Sequence, residues 1–90
     1  MSRFLYTVWF RDLDRDPLDE DYEWPACIVI EAATAEAAQA WGDSLALDRA
    51  QRLPSERFLH SSVEVTDGSD RIESSCVDDG ERASDGKIGW

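Results

Sequence analysis

The carboxylates between Asp12 and Glu23 come nearest to the spacing of a chemical site. Asp12, Asp14, Asp16, Glu20 and Glu23 fall at positions 1, 3, 5, 9 and 12 of a twelve-residue window, the pattern that arrays oxygens around calcium in an EF-hand-like loop. Position 6, where such a loop turns through glycine, is Pro17, whose ring holds φ at about −65°. The flanks carry strand patterns rather than helical ones. Residues 11–23 contain five Asp and two Glu, so matches of this kind are expected from composition alone. The competing reading is a solvated acidic loop that discourages edge-to-edge aggregation or meets a basic partner. Divalent-cation binding by the five spaced carboxylates is the alternative function, and no other cofactor is indicated.

A thiol nucleophile and its base would have to be Cys27 and His60. Such chemistry needs a thiolate stabilised by a close imidazole or positive field, together with an oxyanion site. This chain offers one His, a negative field and no glycine-rich turn beside the Cys. Cys27 within ACIVI reads as a small packing residue. Adjacent carboxylates such as Asp78 and Asp79, or Asp19 and Glu20, sit in segments expected to be exposed, where water screens them and no general acid is made. Ser55, Ser61 and Ser62 have no nucleophile-elbow setting, and the chain shows neither a phosphate-cradling loop nor a zinc ligand set. No catalytic residue is expected.

Ile88 and Trp90 close an acidic segment. That arrangement suits a docking peptide in which charge steers and the aromatic anchors. Trp90 can equally fold back over the domain's own sheet, towards Trp9.

The elements that would position these residues are legible from periodicity. Arg3 to Phe10 alternates as a strand, with Phe4, Tyr6, Val8 and Phe10 on one face and Leu5, Thr7 and Trp9 on the other. Both faces are largely apolar, so the Leu5 and Trp9 side is expected to meet another subunit, a partner or the returning tail. A second strand runs from Trp24 to Ala32, with Trp24, Ala26, Ile28 and Ile30 on one side and Cys27, Val29 and Glu31 on the other. Thr34 then caps a helix whose stripe is Ala37, Ala38, Trp41 and Leu45, continued by Asp48 and Arg52. Its first three turns should dock on the sheet and its last should project. Gly42 weakens the middle by about 1 kcal/mol relative to Ala, and Pro54 marks the end. Phe58 to Val65 reads as a third strand, Leu59, Val63 and Val65 inward and His60, Ser62 and Glu64 outward. Arg71 to Val77 is a candidate edge strand.

Ninety residues with 42% hydrophobic content make one core of modest stability, since a chain this short buries only roughly 60% of its unfolded surface. Twenty acidic against nine basic residues give a net charge of −11, which repels phosphate backbones and anionic lipid and excludes direct nucleic-acid binding. The first ten residues lack the cleavage pattern of a signal peptide, and no apolar run approaches the roughly 18 residues a membrane span needs. Two cysteines without C-x-x-C spacing fit reduced thiols and a cytoplasmic setting.

The expected fold is α+β: a small antiparallel sheet of three or four strands with one helix packed on a face, in the order β-β-α-β(-β). Residues 1–66 form the compact domain and residues 67–90 an acidic tail. Element order and charge are similar to those of small antitoxin, immunity and accessory domains, without a diagnostic motif. The expected function is a non-enzymatic protein-interaction module that binds a basic site on a larger protein, or a second copy of itself. Its partner-binding residues are expected to be Trp9, Asp12, Asp14, Asp16, Asp19, Glu20, Ile88 and Trp90.

Overall fold

The computed structural model describes residues 2–20, 22–66, 76–88 and 90. Strands β1 (Ser2–Asp12) and β2 (Glu23–Ala32) form an antiparallel hairpin around the acidic loop. Helix α1 (Ala35–Arg52) follows, then β3 (Glu56–Val65), the short strand β4 (Cys76–Asp78) and a single helical turn, α2 (Asp85–Ile88). The sheet order is β3-β1-β2-β4. The α+β architecture and the element order expected from the sequence are both present. β3 pairs antiparallel with β1, whereas β4 joins β2 in parallel, so the sheet is mixed rather than wholly antiparallel. The candidate strand over Arg71 to Val77 is seen as Cys76–Asp78, its residues 71–75 lying outside the described residues. Among the described residues no helix is long and apolar enough to cross a membrane.

β1 forms the centre because its alternating large apolar residues have a partner strand on both sides. Phe4, Tyr6, Val8 and Phe10 are buried, as are Ala26, Ile28, Ile30 and Ala32 of β2 and Val77 of β4. All of these side chains face α1, since pairs such as Tyr6 with Ile28 and Val63 fix their common side. Leu5, Thr7 and Trp9 are half-buried on the opposite face.

Thr34 caps α1, its hydroxyl oxygen accepting the Ala37 N–H at 3.1 Å, and Leu53 closes it by donating to the Arg49 carbonyl just before Pro54. The buried stripe is Ala38, Gly42, Leu45 and Ala46, with Trp41 of the expected stripe half-buried against its edge. Gly42 explains this stripe. A Cβ at this position would stand 2.5 Å from the Tyr6 ring carbons, so glycine is what lets the helix backbone lie on that ring. A polar clamp sits beside the contact. The Tyr6 hydroxyl donates to Asp43 Oδ1 at 2.7 Å, the Ser61 hydroxyl donates to the same oxygen at 2.5 Å, and Gln39 Nε2 donates to the Ser61 hydroxyl and carbonyl. Burial first, and the Asp43 carboxylate second, push the Tyr6 phenol far above its ordinary pKa, keeping it a donor.

Three further expectations are corrected. The register of β1 against β3 slips between Trp9 and Phe10, which pair with His60 and Phe58. This bulge leaves Leu59 as the extra residue and turns Phe58, not Leu59, onto the core. Val65, expected inside, pairs with Phe4 on the helix side of the sheet but is 73% exposed at the very end of the edge strand. The last turn of α1 is also held down: Arg49 makes two hydrogen bonds with Glu56, at 2.8 and 3.1 Å.

Gly42→Ala separates helix propensity from packing. Propensity alone favours Ala by about 1 kcal/mol, but overpacking against Tyr6 costs about 1–3 kcal/mol. A denaturant titration should therefore show a variant no more stable than the parent, with Gly42→Val worse still; a clear gain in stability for Gly42→Ala would contradict the close approach.

Candidate functional site

The loop between β1 and β2 is built by its own carboxylates. Asp12 Oδ1 accepts the Asp14 N–H and Asp16 Oδ1 accepts the Leu18 N–H, each an Asx turn that reverses the backbone locally. Asp19 N–H donates to the Asp16 carbonyl and Tyr22 N–H to the Asp19 carbonyl. Arg15 lies between Asp12 and Asp19 at 3.3 and 3.4 Å. The Leu13 N–H donates to the Ser55 carbonyl, tying the loop to the turn that follows α1.

Folded in this way, the loop closes one end of the helix-free sheet face and forms a cleft of about 470 Å³, lined by Trp9, Pro17, Asp19, Glu20, Tyr22 and Glu23. β1 contributes Trp9 to this cleft, its ring 6.1 Å from that of His60. On the same face of the sheet, Glu23 accepts two hydrogen bonds from Arg11 at 2.6 and 3.1 Å, and the Arg11 guanidinium lies 5.4 Å from the Tyr22 ring centroid. That pair raises the Arg11 pKa still further, chiefly through the hydrogen bond to Glu23. The cleft combines aromatic rings with carboxylates, so it attracts cations and repels phosphates.

Of the residues expected to bind a partner, Trp9, Asp19 and Glu20 converge on this cleft. Asp12, Asp14 and Asp16 lie on the same loop, which the Asp12 and Asp16 carboxylates help to shape. Ile88 and Trp90 lie elsewhere. Ile88 is buried in the core, and the half-buried Trp90 meets the Phe10 ring edge-on at 5.8 Å. Arg49 stands between Trp24 and Trp90, 5.8 Å from each ring. Trp90 thus folds back on the helix side of the sheet, away from Trp9. Trp41 takes part in the same packing, its indole N–H donating to the Glu81 carbonyl at 3.0 Å.

The five spaced carboxylates do not enclose a common point: Asp12, Asp16 and Glu23 direct oxygens at the loop's N–H groups and at arginines. Among the described residues no three Asp, Glu, His or Cys side chains gather as a metal ligand set. Cys27 and His60 are separated by β1, Cys27 pairing with Thr7 and His60 with Trp9. They are therefore not on neighbouring strands. The Cys27 sulfur lies 3.5 Å from the Thr7 hydroxyl, and burial pushes the Cys76 thiol up, away from the thiolate form.

The sequence reading missed Pro17 and Tyr22 as cleft residues and gave Glu23 no partner-binding role. It also missed a groove of about 350 Å³ on the helix side, with Leu13, Leu47, Pro54 and Phe58 in its lining. Leu18, 94% exposed at the loop tip, belongs with these. Its only sequence signal is an apolar residue among carboxylates with no periodic partner.

Comparison with protein families, with curated proteins and with solved structures finds no match, so the functional reading rests on geometry.

Two substitutions distinguish core from surface aromatic and apolar residues. Ile88→Ala should cost about 2–5 kcal/mol, the usual range for emptying a core position, whereas Trp9→Leu on the helix-free face should cost far less. Equal losses in chemical denaturation would contradict this assignment.

Proposed function

We propose that the chain is a small acidic protein-interaction module, an accessory or inhibitory subunit without catalysis of its own, that engages a basic site on a larger protein. The cleft between Trp9 and the acidic loop carries this reading, because it places an aromatic surface where the chain's charge is most concentrated. Residues 11–23 hold seven acidic and two basic residues. Their field steers a basic surface into contact, and Leu18 and Trp9 supply apolar area once contact is made. The loop can also imitate nucleic acid, presenting carboxylates where a binding groove would otherwise meet phosphates. Free thiols at Cys27 and Cys76 support placing the protein in the reducing cytoplasm.

The test is retention of host proteins on the tagged chain at low and high salt, compared with a triple variant, Asp16→Asn, Asp19→Asn and Glu20→Gln. Asn at position 16 keeps the oxygen that accepts the Leu18 N–H. One basic partner should be retained at low salt and released as screening shortens the field. The variant should bind it roughly tenfold more weakly, at about 0.5 kcal/mol for each neutralised charge. A partner held equally by both proteins through high salt would overturn the charge-led interface.

A further inference from the structure

The chain treats its tryptophans unequally. Three of the four carry one of its own arginines: Arg49 lies over Trp24 and Trp90, and Arg82 lies 5.8 Å from the Trp41 ring. In each case the guanidinium helps to close the helix side of the fold. Arg11 repeats the pattern on Tyr22, with Glu23 completing a ring, a guanidinium and a carboxylate. Trp9 differs. Among the described residues its ring contact is His60 and no arginine lies over it, yet it shares its cleft with Asp19, Glu20 and Glu23.

We propose that the cleft receives the guanidinium of an arginine side chain presented by the partner, with the Trp9 indole as its stacking surface and Glu20 as its principal carboxylate. This rests on the interaction-module reading and names the group that the module recognises. A planar delocalised cation suits the lining for three reasons. Its weakly hydrated face stacks on an indole, its edge donates in a fork to a carboxylate, and it gives up less hydration than an ammonium does. Anions are disfavoured by the carboxylates, Glu20 above all because Glu23 and Asp19 also meet Arg11 and Arg15, and a bare divalent ion gains nothing from the indole and phenol of the lining. The chain's own Arg11 and Arg49 already adopt the combination proposed for the incoming residue, each lying over a ring and forking to a glutamate.

The experiment is a titration of the full chain with N-acetyl-arginine methylamide, followed through backbone amides and the Trp9 indole N–H by heteronuclear NMR. The lysine and citrulline analogues serve as controls, and loss of a resonance in Trp9→Leu assigns the indole. The arginine analogue should shift the Trp9 indole together with the amides of residues 19, 20 and 23. The lysine analogue should bind several-fold more weakly, and the uncharged citrulline should leave these signals in place. Trp9→Leu should weaken arginine binding roughly three- to tenfold, the range of a partly exposed cation–π contact, and Glu20→Gln should weaken it while the Trp9 indole signal stays in place in the free protein. Citrulline acting like arginine, or shifts confined to loop amides with the Trp9 indole unmoved, would overturn the proposal. Salt-labile capture of a basic partner that survives in Trp9→Leu would leave the acidic-surface reading standing while removing the guanidinium; loss of salt-labile capture altogether would remove the broader reading.

Discussion

The contact between Gly42 and the Tyr6 ring sets the geometry of the whole domain. One helix has to cover a four-stranded sheet, and it does so by bringing bare backbone down onto an aromatic ring where any side chain would stand 2.5 Å from its carbons. Ala38, Leu45 and Ala46 reach the sheet around this point, and the Tyr6–Asp43–Ser61 hydrogen bonds fix the rotation of the helix. A buried hydroxyl and a carboxylate that satisfy each other avoid the cost of an unpaired polar group. The close approach also concentrates the core on one side. With a single long helix, the opposite face keeps Leu5, Thr7 and Trp9 only half-buried.

Charge is distributed to match this asymmetry. On the helix side, arginines are drawn into the packing. Arg49 and Glu56 have side chains only 11% and 15% exposed and are joined by two indoles, so the ion pair holds β3, α1, β2 and Trp90 together at one corner. On the other side, the loop leaves most of its carboxylates facing water and curls past Trp9. A domain with a net charge of −11 gains from any cationic surface that relieves its self-repulsion. The cleft is where such relief coincides with an aromatic ring, and this gives the proposed interaction its position on the fold.

Much of this was legible in the sequence, because strand alternation and helix capping are local signals. The faces of β1 and β2, the Thr34 cap and the exposure of the acidic loop all follow from period and residue type. What stayed hidden depends on contacts far apart in the chain. Gly42 reads locally as a weakness, and only Tyr6, thirty-six residues earlier, turns it into a packing requirement. The bulge that exchanges Leu59 for Phe58 depends on how β3 meets β1. The fate of Ile88 and Trp90 depends on the corner made by Arg49, Trp24 and Phe10. Within the candidate site, Trp9 and the carboxylates were recognisable by type, but Tyr22 and Pro17 join them only through the fold of the loop.

The central claim is that Trp9 alone among the four half-buried indoles lines the acidic cleft, while Trp24, Trp41 and Trp90 pack against the core. Fluorine NMR of 5-fluorotryptophan-labelled protein with cationic and anionic paramagnetic probes measures this directly, because each indole reports its own accessibility and local potential. The account predicts that the cationic probe broadens the Trp9 resonance far more than the other three, that the anionic probe does not, and that added salt removes the difference. A Trp90 resonance broadened as strongly as Trp9, or a Trp9 resonance indifferent to the sign of the probe, would contradict it.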